Sequence, residues 1–421
     1  MRILHFGDLH FGMENYGRID PKTGLHSRFG DFSNSFKTII DYAVGNTKRN
    51  EPPINKEGAV DMVIFAGDAF KTRDPSPTYV RAFAEGIRVI ADAGIPMVLL
   101  VGNHDLPNAT GKANTLDIFT ALQVPGVTVS REPEFLKIKT KSGFLQIVTL
   151  PWMYKSQLMT REDMATKTGE EVNRLFQEKL AKLWRLQLGK VDEKIPAVGV
   201  VHATVEGASF GSERSVLLGS DIVIPQRFLA SANLQYVALG HIHRHQFLRE
   251  NNPPIAYSGS LERIDFGEEE EKKGFVICQI EKLKSRATFI PVSVRPFQTI
   301  RVKISENDPD PTNTVVQRVK REMQRAAVVR VLISCDEARA PEIRETPIRV
   351  VLEGVYFVAG IIKQVAKGQR IVEEKGYSDK LLSASPLEVL EEYLKKKQTS
   401  PQRIYRLRDV AKELLESVEN R

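Results

Sequence analysis

Five short turns carry most of the chemistry available to this chain of 421 residues. Leu99-Leu100-Val101 runs into Gly102-Asn103-His104-Asp105. Residues 3–6 lead into Gly7-Asp8-Leu9-His10, and residues 60–66 into Gly67-Asp68. Residues 197–201 lead into His202, and residues 236–239 into Gly240-His241-Ile242-His243. Each apolar run reads as a buried parallel strand. The polar residues follow at its carboxyl end, where open α/β sheets bind ligands. Five of the eight histidines lie in these turns. One histidine after a strand is ordinarily a hydrogen-bonded structural residue, but five turns of one kind form a constellation.

Asp, His and Asn side chains without thiolates suit Mn²⁺, Fe²⁺ or Zn²⁺ rather than a Cys-rich structural zinc site. The candidates are too many for one ion. His241 and His243 stand at i and i+2 in a turn, so they can reach two different ions. A carboxylate such as Asp68 can bridge two ions about 4 Å apart, a pair that acidifies water and clamps the oxygens of an in-line displacement at phosphorus. His104, beside Asn103, is placed to protonate a leaving oxygen or to stabilise developing charge. Asp105 is placed to orient that imidazole.

The elements that must position these turns follow from the rest of the pattern. Residues 1–290 alternate strands with helical stretches, the mark of α/β layers. The glycine-rich loop 11–31 is either a surface insertion or faces a substrate. Helical spacing covers 32–44, and 45–58 reads as an exposed loop. Asp74-Pro75-Ser76-Pro77 caps a helix to about residue 93, and a second helix spans about 114–122. A hairpin joins 135–138 to 144–150, and 161–188 reads as one long charged helix. Strands are expected at 255–258, 274–281 and 287–292. The acid run 268–271 against Lys272-Lys273 reads as a solvated turn.

Near Arg295-Pro296 the character changes to strand (300–304), helix (about 312–326) and strand (328–334). The helix carries Arg318, Lys320, Arg321 and Arg325, with Arg330 beyond it. These form either a solvated face or a face that contacts phosphates. Residues 368–380 are polar and linker-like. Ser385-Pro386-Leu387-Glu388 is a capping box that opens a pair of amphipathic helices over 383–421. That pair docks either on this chain or on a partner.

At this length two or three domains are expected. A chain that is 42% hydrophobic and 27% charged is ordinary for a globular protein with a sizeable core. No apolar run reaches the ~18 residues of a membrane helix, and no signal segment opens the chain. Cys278 and Cys335 sit in strand-like runs and read as buried thiols of a reducing compartment, the cytoplasm. The net charge is +7, and residues 291–421 hold 24 Lys and Arg against 19 Asp and Glu, leaving 36 against 34 in the first 290. A basic region appended to a near-neutral one hints at an anionic polymer as partner.

Taken in order, Asp-x-His, Gly-Asp, Gly-Asn-His-Asp, a lone His and Gly-His-x-His resemble the signature of the calcineurin-like metallophosphoesterases. Within that family the chain is similar to the SbcD-type nuclease subunits of bacterial double-strand-break-processing complexes. The closer likeness rests on Arg2-Ile3-Leu4-His5, on residues 236–244, and on Ser258-Gly259-Ser260. It extends to the accessory region and terminal helices. The resemblance implies an α/β sandwich of mixed sheets flanked by helices, residues 1–295. It further implies a small α+β capping domain (296–367), a linker (368–382) and a partner-binding helical segment (383–421). It implies that Asp8, His10 and His243 hold one ion, that Asn103, His202 and His241 hold another, and that Asp68 bridges them. His104 is then catalytic, with Asp105 behind the ligands. It implies Mn²⁺, exonuclease and endonuclease activity on DNA, and an SbcC-type ATPase partner bound by the terminal helices. It also implies a homodimer built on one or both of helices 77–93 and 114–122, with Leu116 and Phe119 either at its surface or in the monomer core. Archaeal and eukaryotic relatives carry a His three residues after the bridging Asp, and this chain has Lys71 there. The competing expectations are a phosphomonoesterase or small phosphodiesterase on the same metal core, and a scaffold that has lost its ligands.

Overall fold

The computed structural model describes all residues except 47–52, 54, 108–111, 212–222, 252, 367–389, 392–393, 395–402 and 412–421. The chain divides into two compact units, Met1–Cys335 with Arg339–Gln364, and Asp336–Ala338 with Val365–Arg421.

In the first unit the described strands form two six-stranded mixed sheets and one of three strands. The first sheet has the order β12-β11-β1-β2-β3-β4. Its parallel part is β1 (Arg2–Phe6), β2 (Met62–Phe65), β3 (Met97–Leu100) and β4 (Val127–Ser130). The hairpin of β11 (Gly274–Glu281) and β12 (Lys284–Pro291) adds antiparallel to β1. The second sheet runs β5-β6-β7-β8-β10-β9. The expected hairpin is β5 (Phe135–Thr140) with β6 (Gly143–Leu150), followed by β7 (Ala197–His202) and β8 (Tyr236–Gly240) in parallel. The outer strands β9 (Gln246–Arg249) and β10 (Ile255–Tyr257) complete it.

The apolar strands read as continuous runs because both of their faces are covered. Ile3, Ile64, Ala66, Val98 and Leu100 meet Val198, Val200 and Ala238 between the two sheets. The alternate residues Leu4, Phe65 and Leu99 face helices α1 (Ser27–Ala43), α2 (Pro77–Asp92) and α3 (Asp117–Ala121). On the far side, Val201, Val237 and Leu239 pack with Phe176, Leu180 and Trp184. The result is a helix–sheet–sheet–helix sandwich, the expected fold class.

Three expectations need correction. The helix read over 161–188 is two helices, Arg161–Thr166 and Gly169–Leu188, because Thr168 forms a capping box with Glu171 and starts the second afresh. Leu116 and Phe119, candidates for a dimer surface, lie in the core at 0% and 5% exposure. The exposed residues of that segment are Ile118 and Leu122. Glu268 and Lys273, expected in a solvated turn, are almost wholly buried.

The three-stranded sheet joins β13 (Phe297–Lys303), β14 (Val328–Asp336) and β15 (Phe357–Ala366). Helices Pro311–Glu322 and Glu345–Leu352 pack on it around Val315, Val319, Val331 and Ile348. This accessory sheet has a core of its own. Of the terminal segment, the described residues 390–391, 394 and 403–411 are helical, and Arg408 pairs with Glu391 at 3.0 Å. The linker and the capping box at Ser385 lie outside the described residues.

Candidate metal centre

β1, β2 and β3 are parallel neighbours in one sheet, and β7 and β8 are parallel neighbours in the other. The turns after them meet at one end of the sandwich, where His202 Nδ1 donates to Ala66 O (2.7 Å) and the His241 amide to Asp8 Oδ1 (2.9 Å). The loops after β1 and β2 run side by side, with the Asp8 amide donating to Gly67 O (2.9 Å) and the His10 amide to Asp68 O (3.1 Å). Of eight non-glycine residues with positive φ among those described, four are Asp8 (50°), His10 (48°), Asp68 (61°) and His241 (100°). Such backbone is costly for L-residues and clusters at functional sites. The preceding glycines permit the close approach: a Cβ on Gly67 would lie 2.4 Å from His202 Nδ1.

Three groups of side chains bring their ligand atoms within 4.8 Å of one another: Asp8 with His10 and His243, His10 with Asp68 and His104, and Asp68 with His202 and His241. His10 Nε2 stands 3.0 Å from His243 Nε2. Asn103 Oδ1 stands 3.0 Å from His202 Nε2 and 3.0 Å from His241 Nδ1. Two ligands at right angles on one ion, with bonds of ~2.1 Å, are about 3.0 Å apart. The spacing therefore fits two ion positions, with Asp68 Oδ2 reaching toward both, 3.8 Å from His10 Nε2 and 3.4 Å from His202 Nε2. Neutral imidazole and carboxylate donors of this kind suit divalent ions.

The tautomers agree with this arrangement. His202 Nδ1 donates to Ala66 O (2.7 Å), which leaves a lone pair on Nε2. His243 Nδ1 donates to Glu268 Oε1 (3.2 Å), with the same consequence. His104 Nδ1 donates to Lys71 O (2.7 Å), and its ring meets His10 edge-on at 4.9 Å. His104 is half-buried, whereas Asp8, His10, Asp68 and His202 are buried. Asp105 does not orient it. The two Asp105 oxygens accept instead from the amides of Asp68 (2.9 Å), Ala69 (3.0 Å) and Gly102 (3.0 Å). It fixes the backbone that presents Asp68.

A model of the calcineurin-like phosphoesterase family matches residues 1–245. The chain belongs to that family. The SbcD component of the SbcCD nuclease from Bacillus subtilis (strain 168) is 26% identical over 271 residues, 64% of this chain and 63% of that protein. The corresponding SbcCD nuclease component from Escherichia coli (strain K12) is 24% identical over 314 residues, 73% of this chain and 69% of that one. "DNA double-strand break repair protein Mre11" of Archaeoglobus fulgidus is 23% identical over 318 residues, 72% of this chain and 62% of that one. This phosphoesterase thus spans just under two thirds of the B. subtilis relative's length.

The electrostatics of the phosphoesterase site are those of charges kept out of water. Burial pushes the Asp8 carboxyl up and the His10 imidazole far down. Without a cation, burial at His202 is outweighed by Asp68 and then Asp8, which hold the imidazole at about 9, so an ion binding Nε2 would take the place of a proton there. Burial, then the Asp68 charge, lifts Asp105 to about 6. A buried cluster of carboxyls and several imidazoles with shifted protonation is a site prepared for cations.

Two participants are missing from the sequence reading. The Trp152 ring lies 4.8 Å from that of His241 and borders a cleft of about 610 Å³ with Tyr154, Phe176 and His202. Its signal was present, since Trp152 also follows an apolar strand at the same end. Glu268, behind His243, was hidden in a run of acids. In the accessory region the helix stops at Glu322, so Arg325 lies beyond its end. Arg318 pairs with Glu322 at 2.8 Å and Arg321 approaches the same carboxylate at 3.5 Å, while Lys320 and Arg325 are exposed. Arg330 points elsewhere, 4.2 Å over the Phe266 ring.

Proposed function

We propose that this chain is a two-metal phosphodiesterase that cuts DNA, as exonuclease and endonuclease, at double-strand breaks. The observation that carries the reading is Asp68 standing between two ligand sets, Asp8, His10 and His243 on one side and Asn103, His202 and His241 on the other. Two divalent ions held by these residues, Mn²⁺ in this reading, would supply Lewis acidity to activate water and offset charge on the phosphoryl oxygens. Asp105 holds Asp68 in register by accepting hydrogen bonds from the amides of Asp68, Ala69 and Gly102. His104, tied through Nδ1 to Lys71 O, keeps Nε2 for the substrate side. It protonates the leaving oxygen or stabilises the charge that develops on it. The carbonyl of Lys71 thus supports His104, whereas its side chain has no assigned task.

The relatives named as nuclease components and as a break-repair protein support DNA as the substrate. The exposed cations Lys320 and Arg325, with Arg318 and Arg321, are the candidate phosphate contacts on the accessory domain, 296–367. The reading includes a homodimer, with the exposed Val89 of α2, Ile118 of α3 and Leu122 just past α3 as candidate contacts. It also includes an SbcC-type ATPase held by residues 383–421, and a cytoplasmic, nucleoid-associated location. The test is Mn²⁺-dependent release of nucleotides from linear DNA, run beside hydrolysis of a small diester and a monoester. Cleavage of the small esters with no attack on DNA would favour the simpler phosphatase or phosphodiesterase. Failure on all three would mean a scaffold.

A further inference from the structure

The turn Phe266–Glu268 with the following Glu269 faces two ways. Inward, Glu268 is wholly buried and its Oε1 accepts from His243 Nδ1. Its other oxygen accepts from the Ile264 amide (2.9 Å) and meets Lys273 Nζ (2.9 Å). Lys273, 1% exposed, also donates to His243 O (3.1 Å) and Ser260 Oγ (2.9 Å). A buried ion pair is no more stabilising than well-packed apolar residues would be. Stability alone therefore does not explain why Glu268 and Lys273 stand behind one histidine. A carboxylate accepting from the ring nitrogen remote from the ion is the ordinary means of fixing a ligand's tautomer and orientation.

Outward, the same turn is gripped by the accessory sheet. Phe266 packs edge-on against Phe297 of β13, with ring centroids 5.0 Å apart, under the Arg330 guanidinium of β14. Glu269 accepts from both the amide (2.6 Å) and the hydroxyl of Thr299 on β13. Thr299 and Arg330 are register partners, and Arg330 Nε donates to Thr299 Oγ at 2.8 Å. Residues 266 and 269 are thus fixed to the accessory domain, and residue 268 between them is fixed to a candidate metal ligand.

We propose that Glu268 is a positioning residue for His243 and that the accessory sheet sets its position through Phe266 and Glu269. The inference rests on the metal-centre reading above. It makes the ion held by Asp8, His10 and His243 sensitive to the accessory domain, and leaves the ion held by Asn103, His202 and His241 indifferent to it.

The test is calorimetric titration of the metal-free full-length protein with Mn²⁺, with melting temperatures recorded for each variant. Wild type should bind two ions, and binding of none would sink the metal-centre reading itself. Glu268→Gln should weaken one ion by 10- to 100-fold and leave the other within about twofold. Thr299→Val, remote from the ligands, should weaken that same ion several-fold at an unchanged melting temperature. With two ions bound in wild type, unchanged affinities in both variants would overturn the proposal. Equal weakening of both ions would also overturn it, since a general loosening of structure would do that. Should Glu268→Gln fail to fold, Thr299→Val and Phe266→Leu decide alone by the same criterion.

Discussion

Replacing Gly102 with Ala adds one methyl group at the tightest point of the site. The new Cβ would lie 2.1 Å from Asp68 Oδ1, 2.5 Å from Asp68 N and 2.8 Å from Asp68 Cγ. Ordinary carbon–oxygen contacts begin near ~3.3 Å, so Asp68 or the end of β3 must yield by about 1 Å. Asp68 cannot turn aside cheaply. Its amide donates to Asp105 Oδ2 (2.9 Å) and its Oδ1 accepts from the His104 amide (2.8 Å). Gly102 is not in the left-handed region, so the whole effect is steric. Overpacking of this kind costs about 2 kcal/mol, within the ~1–3 kcal/mol range for such insertions. With an unfolding entropy of ~0.6 kcal/mol/K at about 300 residues, that corresponds to a melting-temperature fall of roughly 3 °C. Because Asp68 faces both ion positions, a displacement of about 1 Å should lower diester turnover by about 100-fold or more, with both ions bound more weakly. Gly30→Ala is the control: it lies inside α1 with nothing within 4 Å of the added Cβ. It should be neutral or slightly stabilising. The assays are thermal melting, Mn²⁺ titration and turnover of a small diester. A Gly102→Ala protein with wild-type affinity for both ions and wild-type turnover would refute the reasoning.

His104→Asn should abolish cleavage while two ions still bind, and metal analysis showing an ion lost would make His104 a ligand instead. Neutralising Arg318, Lys320, Arg321 and Arg325 together should weaken duplex DNA binding and flatten its salt dependence without touching small-diester turnover. An unchanged salt slope returns that helix face to solvent. Burial lifts Glu262 to about 7 from its ordinary 4.5, against the pull of Arg28. Its stabilising contribution is therefore complete below 4.5 and is lost as pH rises through 7, a span worth roughly 3 kcal/mol. Urea unfolding should accordingly show Glu262→Gln gaining on wild type between pH 5 and pH 8. A difference that stays constant over that interval contradicts the buried-acid account.

The site was legible because its signal is local. Each candidate ligand follows a run of β-forming residues buried on both faces, so Asp8, Asp68, Asn103, His202 and His241 can be read one strand at a time. The sandwich follows from the same runs. What the sequence concealed depends on contacts across the fold. Glu268 and Lys273 look like any surface charges in an acid–base run, and only the fold carries them inward against His243 and Ser260. Leu116 and Phe119 share their spacing with Leu122, and nothing local says which of them meets Phe83 and which meets solvent. Asp105 is adjacent to His104 in sequence, yet the turn directs its oxygens back to three amides. The break at Thr168 was visible as a capping box, but the charged pattern on either side of it masked the interruption.

The central claim is that two ions share Asp68. It is tested most directly by soaking crystals with Mn²⁺ and locating the metal by anomalous scattering. Two peaks are predicted about 4 Å apart, one against Asp8, His10 and His243 and the other against Asn103, His202 and His241, with Asp68 between them. A single peak, or two peaks with Asp68 touching only one, would contradict the account.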